Sequence, residues 1–382
     1  MPTSPPLITT VIPTYRRPAL LRRAIASALN QTLDVGRVAV YDDASGDETE
    51  SVVRKIASED ARVTFHRHDQ NIGLVPNFRY ALEHIETPYF SILSNDDMLL
   101  PRLYEAGLRA LESHPEAAFV ATQVIHVDDL QRVIKLHFPW HAGVYTPPEG
   151  LLRLIEWGAP AWAGIIFRSS VLEEFGNLDP ETDTLMDYDF QIRIAAHRPY
   201  VVEPTPGAVF FHSLASISGE ARFGGTWPGW LCLMTKLRQD ESVPQDVRRK
   251  VEAMLDEQLL SRLYGIGVVS SRHANFTDAR QAADLLANRY GDRSKANVVR
   301  LLASTFERMP AMARMYGMVS ERRQPYERAG WRRKPITLSS YLAGSPDAET
   351  LDRLLSGQYE KGLTEVQPGE RSDESVGLNQ RS

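Results

Sequence analysis

Short apolar runs alternate with helical stripes along the first half of the chain. Leu7–Ile12 is a β-branched run that ends at Pro13, and from Pro18 onward Leu20, Ala24, Ile25 and Ala28 fall on one helical face. A proline near the first helical position suits a helix start. Val38–Tyr41 predicts a second strand that runs into Asp42 and Asp43. Ser45-Gly46-Asp47 then makes a turn, with Asp47 as N-cap of a helix through Val52, Val53 and Ile56. Val63–His66, Tyr89–Leu93 and Ala118–Val124 predict three more strands, with helical stripes at Pro76–Ile85 and Leu103–Leu111 between them. This alternation predicts βαβ units: an α/β, Rossmann-like domain with a mainly parallel central sheet flanked by helices.

The second half is less regular. Ile125–Phe138 reads as a hairpin or insertion, Pro148–Trp157 as a short helix and Ala163–Phe167 as a strand. A helix ending near Gly176, another over Asp187–Ala196 and a strand at Val209–His212 follow. From about Trp230 the pattern is wholly helical, over Gln245–Leu263, Thr277–Arg289 and Asn297–Met318. The expected organisation is a main domain at 1–225, an α-helical C-terminal extension at 226–345 and a tail at 346–382. Beyond Leu363 the tail is polar and aperiodic, and disorder is expected there.

Composition adds little but excludes much. Of 382 residues, 43% are hydrophobic and 24% charged, enough to bury a sizeable core, and the formal net charge of -6 gives no basis for nucleic-acid binding. The single cysteine, Cys232, forbids an internal disulfide and a Cys-based zinc site, and reads as a small core residue. The N-terminus lacks a signal-peptide pattern, and no stretch approaches the roughly 18 consecutive apolar residues of a spanning helix, so a cytoplasmic location is expected. Arg308, Arg314, Arg322, Arg323, Arg328, Arg332, Arg333 and Lys334 make the end of the extension basic. That end reads either as a solvated face or as a peripheral contact with an anionic membrane surface. The extension also offers a surface for self-association.

Neither common glycine-rich nucleotide loop is present. Acidic pairs stand instead at two strand ends, where open α/β sheets bind ligands. Asn95-Asp96-Asp97 places two adjacent carboxylates that repel unless a positive charge sits beside them, and hard oxygens suit Mg²⁺ or Mn²⁺. The bland alternative is a turn. Asp43 could accept from a nucleobase or ribose, or could be a turn residue. Asp187 and Asp189 flank Tyr188 at a predicted helix start, where they read either as caps or as a general base. The helix dipole there is expected to lower the pKa. His212 ends a short apolar strand and reads as a packed histidine or a metal partner. Trp157, Trp162 and Trp227 read as core contacts or as sugar-stacking faces.

The ordered set resembles family 2 glycosyltransferases. It runs from Val11-Ile12-Pro13-Thr14-Tyr15 through Asn30-Gln31-Thr32, Asp42-Asp43-Ala44-Ser45-Gly46-Asp47 and Asn71-Ile72-Gly73 with Asn77, to Asn95-Asp96-Asp97. Gly176, Asp187-Tyr188-Asp189-Phe190 with Arg193, and His212 with Ser216 and Ser218 complete it. The resemblance covers residues 7–220 and implies a GT-A fold and an inverting, metal-dependent transfer from a nucleotide-diphosphate sugar, a UDP-sugar first. It implies that Pro13, Thr14, Tyr15, Asp43, Asn77 and Asp96 bind the nucleotide-sugar. Asp97 and His212 would serve the Mn²⁺ or Mg²⁺, and Asp187 would be the base. The acceptor would be a glycan, a lipid-linked saccharide or a small molecule, in the making of cell-envelope polysaccharide, glycolipid or a related glycan.

Two departures stand out. Met186 replaces the family's frequent Glu before the base, which leaves Asp187 and Asp189 as rivals. Arg16 and Arg17 replace a small polar residue, so that a guanidinium either reaches the diphosphate or caps a solvated helix start. The Gln-x-x-Arg-Trp signature of processive synthases is absent, so one or a few sugars per encounter are expected. The rival readings are a non-catalytic binding module on the same scaffold and a nucleotidyltransferase.

Overall fold

The computed structural model describes residues 5–136, 141–212, 223–313, 315 and 336–358. Its first strand, β1 (Ile8–Thr14), is buried at every position, as expected of a β-branched run covered on both faces. It pairs in parallel with β2 (Gly36–Asp42) and β4 (Tyr89–Ile92), and β2 pairs in parallel with β3 (Val63–Arg67). The helices α1 (Pro18–Leu29), α2 (Thr49–Glu59) and α3 (Leu74–Glu83) make the crossovers. β5 (Met98–Leu99) and α4 (Leu103–Ser113) lead into β6 (Phe119–Asp128). The predicted hairpin is present: β7 (Val133–Leu136) runs antiparallel to β6.

The sheet order is β3-β2-β1-β4-β9-β6-β10-β5. β9 (Ile165–Arg168) is wedged antiparallel between β4 and β6. Consequently β3, β2, β1, β4, β6 and β10 (Tyr200–His212) point one way, while β9, β5, β7 and β8 (Gly143–Tyr145) oppose them. β10 is far longer than Val209–His212. Its ladder to β6 shifts register between Glu203 and Ala208, where Pro204, Pro206 and Gly207 interrupt the pattern.

Helices cover both faces. One core unites Ile8, Ile12 and Val40 with Leu21 and Ile25 of α1, Val53 and Ile56 of α2, and Leu103 and Leu108 of α4. Residues 336–358 return to this face. There α12 (Leu338–Leu342) and α13 (Ala348–Leu355) bury Leu338, Leu342, Leu351 and Leu354, and Arg102 pairs with the buried Asp347 at 3.2 Å.

The other core holds Val11, Phe78 of α3, Leu151 and Ile155 of α5 (Glu149–Trp157), and Tyr188 and Phe190 of α7 (Met186–Ala195). Between α5 and α7 lies the short α6 (Ser170–Phe175). This second core continues without a break into α8 (Phe223–Gln239), α9 (Gln245–Arg272), α10 (Phe276–Asn288) and α11 (Arg293–Arg308). On α9, Val247, Val251, Leu255, Leu259 and Leu263 recur every fourth residue and are buried. Trp230 of α8 is wholly buried and meets Tyr188 edge-on at 5.8 Å.

Among the described residues no helix is long and apolar enough to cross a membrane. Arg308 is exposed at the end of α11, whereas Arg314, Arg322, Arg323, Arg328, Arg332, Arg333 and Lys334 lie outside the described residues, as do Ser216, Ser218 and the distal tail. Cys232 is half-buried, with Sγ 3.8 Å from Glu181, rather than a core residue.

Candidate active site

β1 and β2 end side by side, and the loops after them are tied together. Asp43 donates its N–H to Thr14 O at 2.9 Å, and Asn95 Nδ2 donates to Thr14 Oγ1 at 2.8 Å. Pro13 and Thr14 are buried in this seam, while Tyr15 is 43% exposed at its lip with the Arg16 guanidinium over its ring at 5.0 Å.

Asp43 is buried, and its carboxylate accepts from Ile72 N–H at 2.6 Å and Gly73 N–H at 3.0 Å. The Asn71-Ile72-Gly73 loop is therefore the support of Asp43. Gly73 makes this possible by adopting φ +93°, which a Cβ disfavours. Asn77 lies behind this loop. It donates to Tyr41 O at 3.0 Å and bonds His68 Nε2 through Oδ1 at 3.0 Å, so both ends of its amide are engaged in holding the loop. Asp47 accepts from Thr49 N–H at 2.9 Å, but the N-cap of α2 is Glu48, so Asp47 closes the turn one residue before the cap position expected of it. Asp42 is buried and bonds Ser45, and burial pushes its carboxyl above the usual range.

The second acidic pair lies between β4 and β5. Met98 of β5 is opposite Val209 of β10, which carries Asp97 alongside Phe211 and toward His212. Asp97 is 2% exposed, accepts from Phe211 N–H at 3.0 Å, and makes no ion pair among the described residues. Burial, then the neighbouring Asp96 charge, pushes its carboxyl well above the ordinary range. His212 and the buried His126 share a hydrogen bond, Nε2 to Nδ1, at 2.8 Å. Asp96 is engaged differently: its carboxylate pairs with Arg17 Nη1 at 2.8 Å, and its main-chain oxygen accepts from Arg23 Nη2 at 2.6 Å. The Arg23 guanidinium stacks over Phe211 at 3.9 Å.

Asp187 and Asp189 begin α7 and diverge. Asp189 is buried, its carboxylate held by Arg193 at 2.9 Å and Lys236 at 3.1 Å. Arg193 also donates to Phe175 O and Asn177 O, which ties the Gly176 loop to α7. Asp187 accepts from the adjacent Tyr188 N–H at 2.7 Å and makes no ion pair among the described residues. Contrary to the expectation from the helix dipole, its carboxyl is pushed up. Burial outweighs the Tyr188 N–H and the Arg262 charge. Tyr188 OH meets Gln258 Oε1 of α9 at 3.2 Å, so the helical extension reaches the start of α7. The periodicity of α9 gives no sign of this, because Gln258 and Arg262 read as ordinary polar-face residues.

Of the tryptophans, Trp162 packs on Phe78 at 5.7 Å with its buried Nε1 unpartnered among the described residues. Trp157 and Trp227 lie under Arg153 and Arg289.

Among the described residues, no three His, Cys, Asp or Glu side chains converge to hold a metal unaided. A hard divalent cation is often held by one or two protein groups plus substrate phosphates. Asp97 fits that arrangement: it is a hard oxygen ligand whose ionisation is costly until a positive charge arrives.

A central sheet with strand-end carboxylates, helices on both faces and a helical C-terminal region defines a GT-A fold. Residues 9–176 match the model of glycosyl transferase family 2, and the domain they form belongs to that family. An uncharacterized glycosyltransferase of Methanocaldococcus jannaschii is 24% identical over 194 residues, 50% of this chain and 66% of that protein. The GalNAc(5)-diNAcBac-PP-undecaprenol beta-1,3-glucosyltransferase of Campylobacter jejuni is 33% identical over 97 residues, 25% of this chain and 31% of that protein. The chain thus spans less than two thirds of either relative. The crystal structure of S. aureus TarS 1–349 in complex with UDP-GlcNAc superposes with a TM-score of 0.58 at 14% identity, covering 79% of this chain and 91% of that one.

Proposed function

We propose that the chain transfers a glycosyl group from a nucleotide-diphosphate sugar, a UDP-sugar, to an acceptor hydroxyl with inversion. The observation that carries this is Asp97, which is buried at a strand end, is held by the main-chain N–H of Phe211, the residue before His212, and makes no ion pair among the described residues. Asp43 and Tyr15 hold the nucleoside. Asp97 and His212 hold Mn²⁺ or Mg²⁺, which when bound supplies positive charge to the leaving diphosphate. Asp187 takes the acceptor proton. Its raised proton affinity suits a base better than that of Asp189, whose carboxylate is held by two cations. The glucosyltransferase relative is named for a polyprenyl-diphosphate-linked glycan, and the TarS complex holds UDP-GlcNAc. The TarS ligand supports a UDP-sugar donor, and the glucosyltransferase's name supports a role in cell-envelope polysaccharide, glycolipid or related glycan synthesis. The acceptor is a glycan, lipid-linked saccharide or small molecule, and the protein acts in the cytoplasm or at the inner face of the membrane.

The test is release of nucleoside diphosphate from a panel of nucleotide-sugars with Mn²⁺ or Mg²⁺, on wild type and Asp97→Asn. Metal-dependent release confined to wild type supports the reading. Binding of sugars without any release at any metal concentration would favour the non-catalytic module.

A further inference from the structure

Arg17 stands in the acidic motif, although the chain places it at the start of a helix. Arg16 and Arg17 both have φ +61°, a left-handed conformation that non-glycine residues adopt at a cost. Pro18 contributes, since its ring disfavours the right-handed helical region for Arg17. The rest of the constraint is tertiary. Arg16 N–H donates to Ser45 Oγ at 2.6 Å, and Arg17 Nη1 donates to Asp96 at 2.8 Å. Such backbone strain concentrates at ligand clamps. The Arg17 side chain is 32% exposed and that of Asp96 16%, so the pair is open to the cleft rather than sealed inside it. It lies next to Asp97, on the same side as the Thr14–Asn95 bond that closes the β1 and β4 ends.

We propose that the Arg17–Asp96 ion pair is a resting-state latch that a nucleoside diphosphate opens, Arg17 passing from Asp96 to the diphosphate and leaving Asp96 available to the cation or the ribose. The proposal rests on the donor reading above. Arginine binds a phosphate by the same charge-assisted hydrogen bonds it gives a carboxylate, so the exchange keeps the guanidinium satisfied. Asp96 and Asp97 are adjacent carboxylates. While Arg17 holds Asp96, cation binding at the pair competes with a salt bridge. Once the diphosphate takes Arg17, both carboxylates face the cleft and want positive charge. Diphosphate and metal therefore assist one another, a coupling that belongs to this chain's own arginine.

The proposal makes two opposite predictions for Arg17→Gln. Pyrophosphate and UDP, titrated calorimetrically in EDTA, should bind about tenfold more weakly, the loss of one charge-assisted hydrogen bond. Uridine, which has no phosphate, should be unaffected. Mn²⁺ alone, followed by the loss of its free-ion electron paramagnetic resonance signal, should bind several-fold more tightly. Arg17→Lys, which keeps the charge, should hold the metal-free pyrophosphate affinity within about threefold, and it serves if the glutamine variant fails to fold. Unchanged pyrophosphate and Mn²⁺ binding in Arg17→Gln overturns the latch, and so does a loss of pyrophosphate affinity in Arg17→Lys well beyond threefold. Weakening of uridine and Mn²⁺ together also overturns it, because that pattern marks Arg17 as a prop for the loop. Pyrophosphate binding without UDP binding in wild type sinks the uridine-nucleotide reading and leaves the latch to be judged on pyrophosphate.

Discussion

The main-chain N–H of Phe211 donates to the Asp97 carboxylate at 3.0 Å, so the end of strand β10 fixes the acid on which the proposed metal depends. An amide at position 97 accepts the same bond and carries no charge into the buried site. Asp97→Asn should therefore melt no lower than wild type without ligand. It should lose the metal-dependent response to UDP. At about 100 times its dissociation constant a ligand adds roughly 2.7 kcal/mol to the wild type, a shift of several degrees. Thermal melts with UDP and Mn²⁺ check this, and a variant that still responds fully removes Asp97 from the site.

Asp187 and Asp189 should fail in different ways. Asp189 holds Arg193 and Lys236 together, so Asp189→Asn should cost about 3 kcal/mol, the low end for a broken buried pair because both partners keep some water. Asp187→Asn should fold normally and lose about a hundredfold or more in turnover, with UDP binding kept. Denaturant titration and initial rates on the two variants separate the roles. A stable, active Asp187→Asn enzyme would return the base to an open question.

The ionisation of Asp187 gives a pH prediction whose sign differs from that of most carboxylates. Its pKa is raised on folding, chiefly by burial. The folded state then holds the proton more tightly than the unfolded chain, where an aspartate titrates near about 3.9. The associated stability is present below that value and is lost as pH rises through the folded pKa. Asp187→Asn, which cannot ionise, should gain on wild type as pH climbs out of the acid range. Turnover should show an acid limb above the usual carboxylate range. A constant stability difference between pH 3 and pH 8, taken as about the ordinary working span, would contradict both statements.

Much of this arrangement was legible in the chain because strand ends are written in it. Leu7–Ile12, Val38–Tyr41 and Tyr89–Leu93 each stop at the polar residues that now rim the cleft, and their β-branched runs leave little choice of element. Three features were not legible. Only Val209–His212 of β10 stands out in the sequence, since Pro204, Pro206 and Gly207 break the period that a ladder with register shifts tolerates. The reversed β9 follows from a connection through α5, and its three apolar residues, Ile165, Ile166 and Phe167, carry no direction. The Asp96–Arg17 and Tyr188–Gln258 partnerships join residues 79 and 70 positions apart, which local pattern does not encode. For Asp187 the helix dipole is visible in the sequence and the burial that outweighs it is not.

The extension should prove inseparable from the catalytic domain. Trp230 is wholly buried against Tyr188 in a core shared by both parts. Trp230→Ala should destabilise the whole chain by about 3–5 kcal/mol. It should also disturb turnover, because Tyr188 follows Asp187 directly. Guanidinium unfolding followed by circular dichroism should show one transition in wild type. Two separate transitions, with only the later helices affected by the variant, would contradict a shared core.

Gly73 tests the nucleoside side without touching a charge. At φ +93° and ψ 165° it starts α3 and donates its N–H to Asp43 at 3.0 Å. An added Cβ finds room, its nearest neighbour being Pro76 Cδ at 3.9 Å, so the penalty is conformational rather than steric. Gly73→Ala should cost about 1–3 kcal/mol, the range for a backbone held in a region that glycine alone enters freely. Relaxing that strain rotates the Gly73 N–H away from Asp43, and the carboxylate loses one of the two donors that orient it. Uridine and UDP should then weaken by the same factor, whereas pyrophosphate should bind as before. A variant that loses pyrophosphate as well would show that the loop supports the whole cleft and that Asp43 is not specific to the nucleoside.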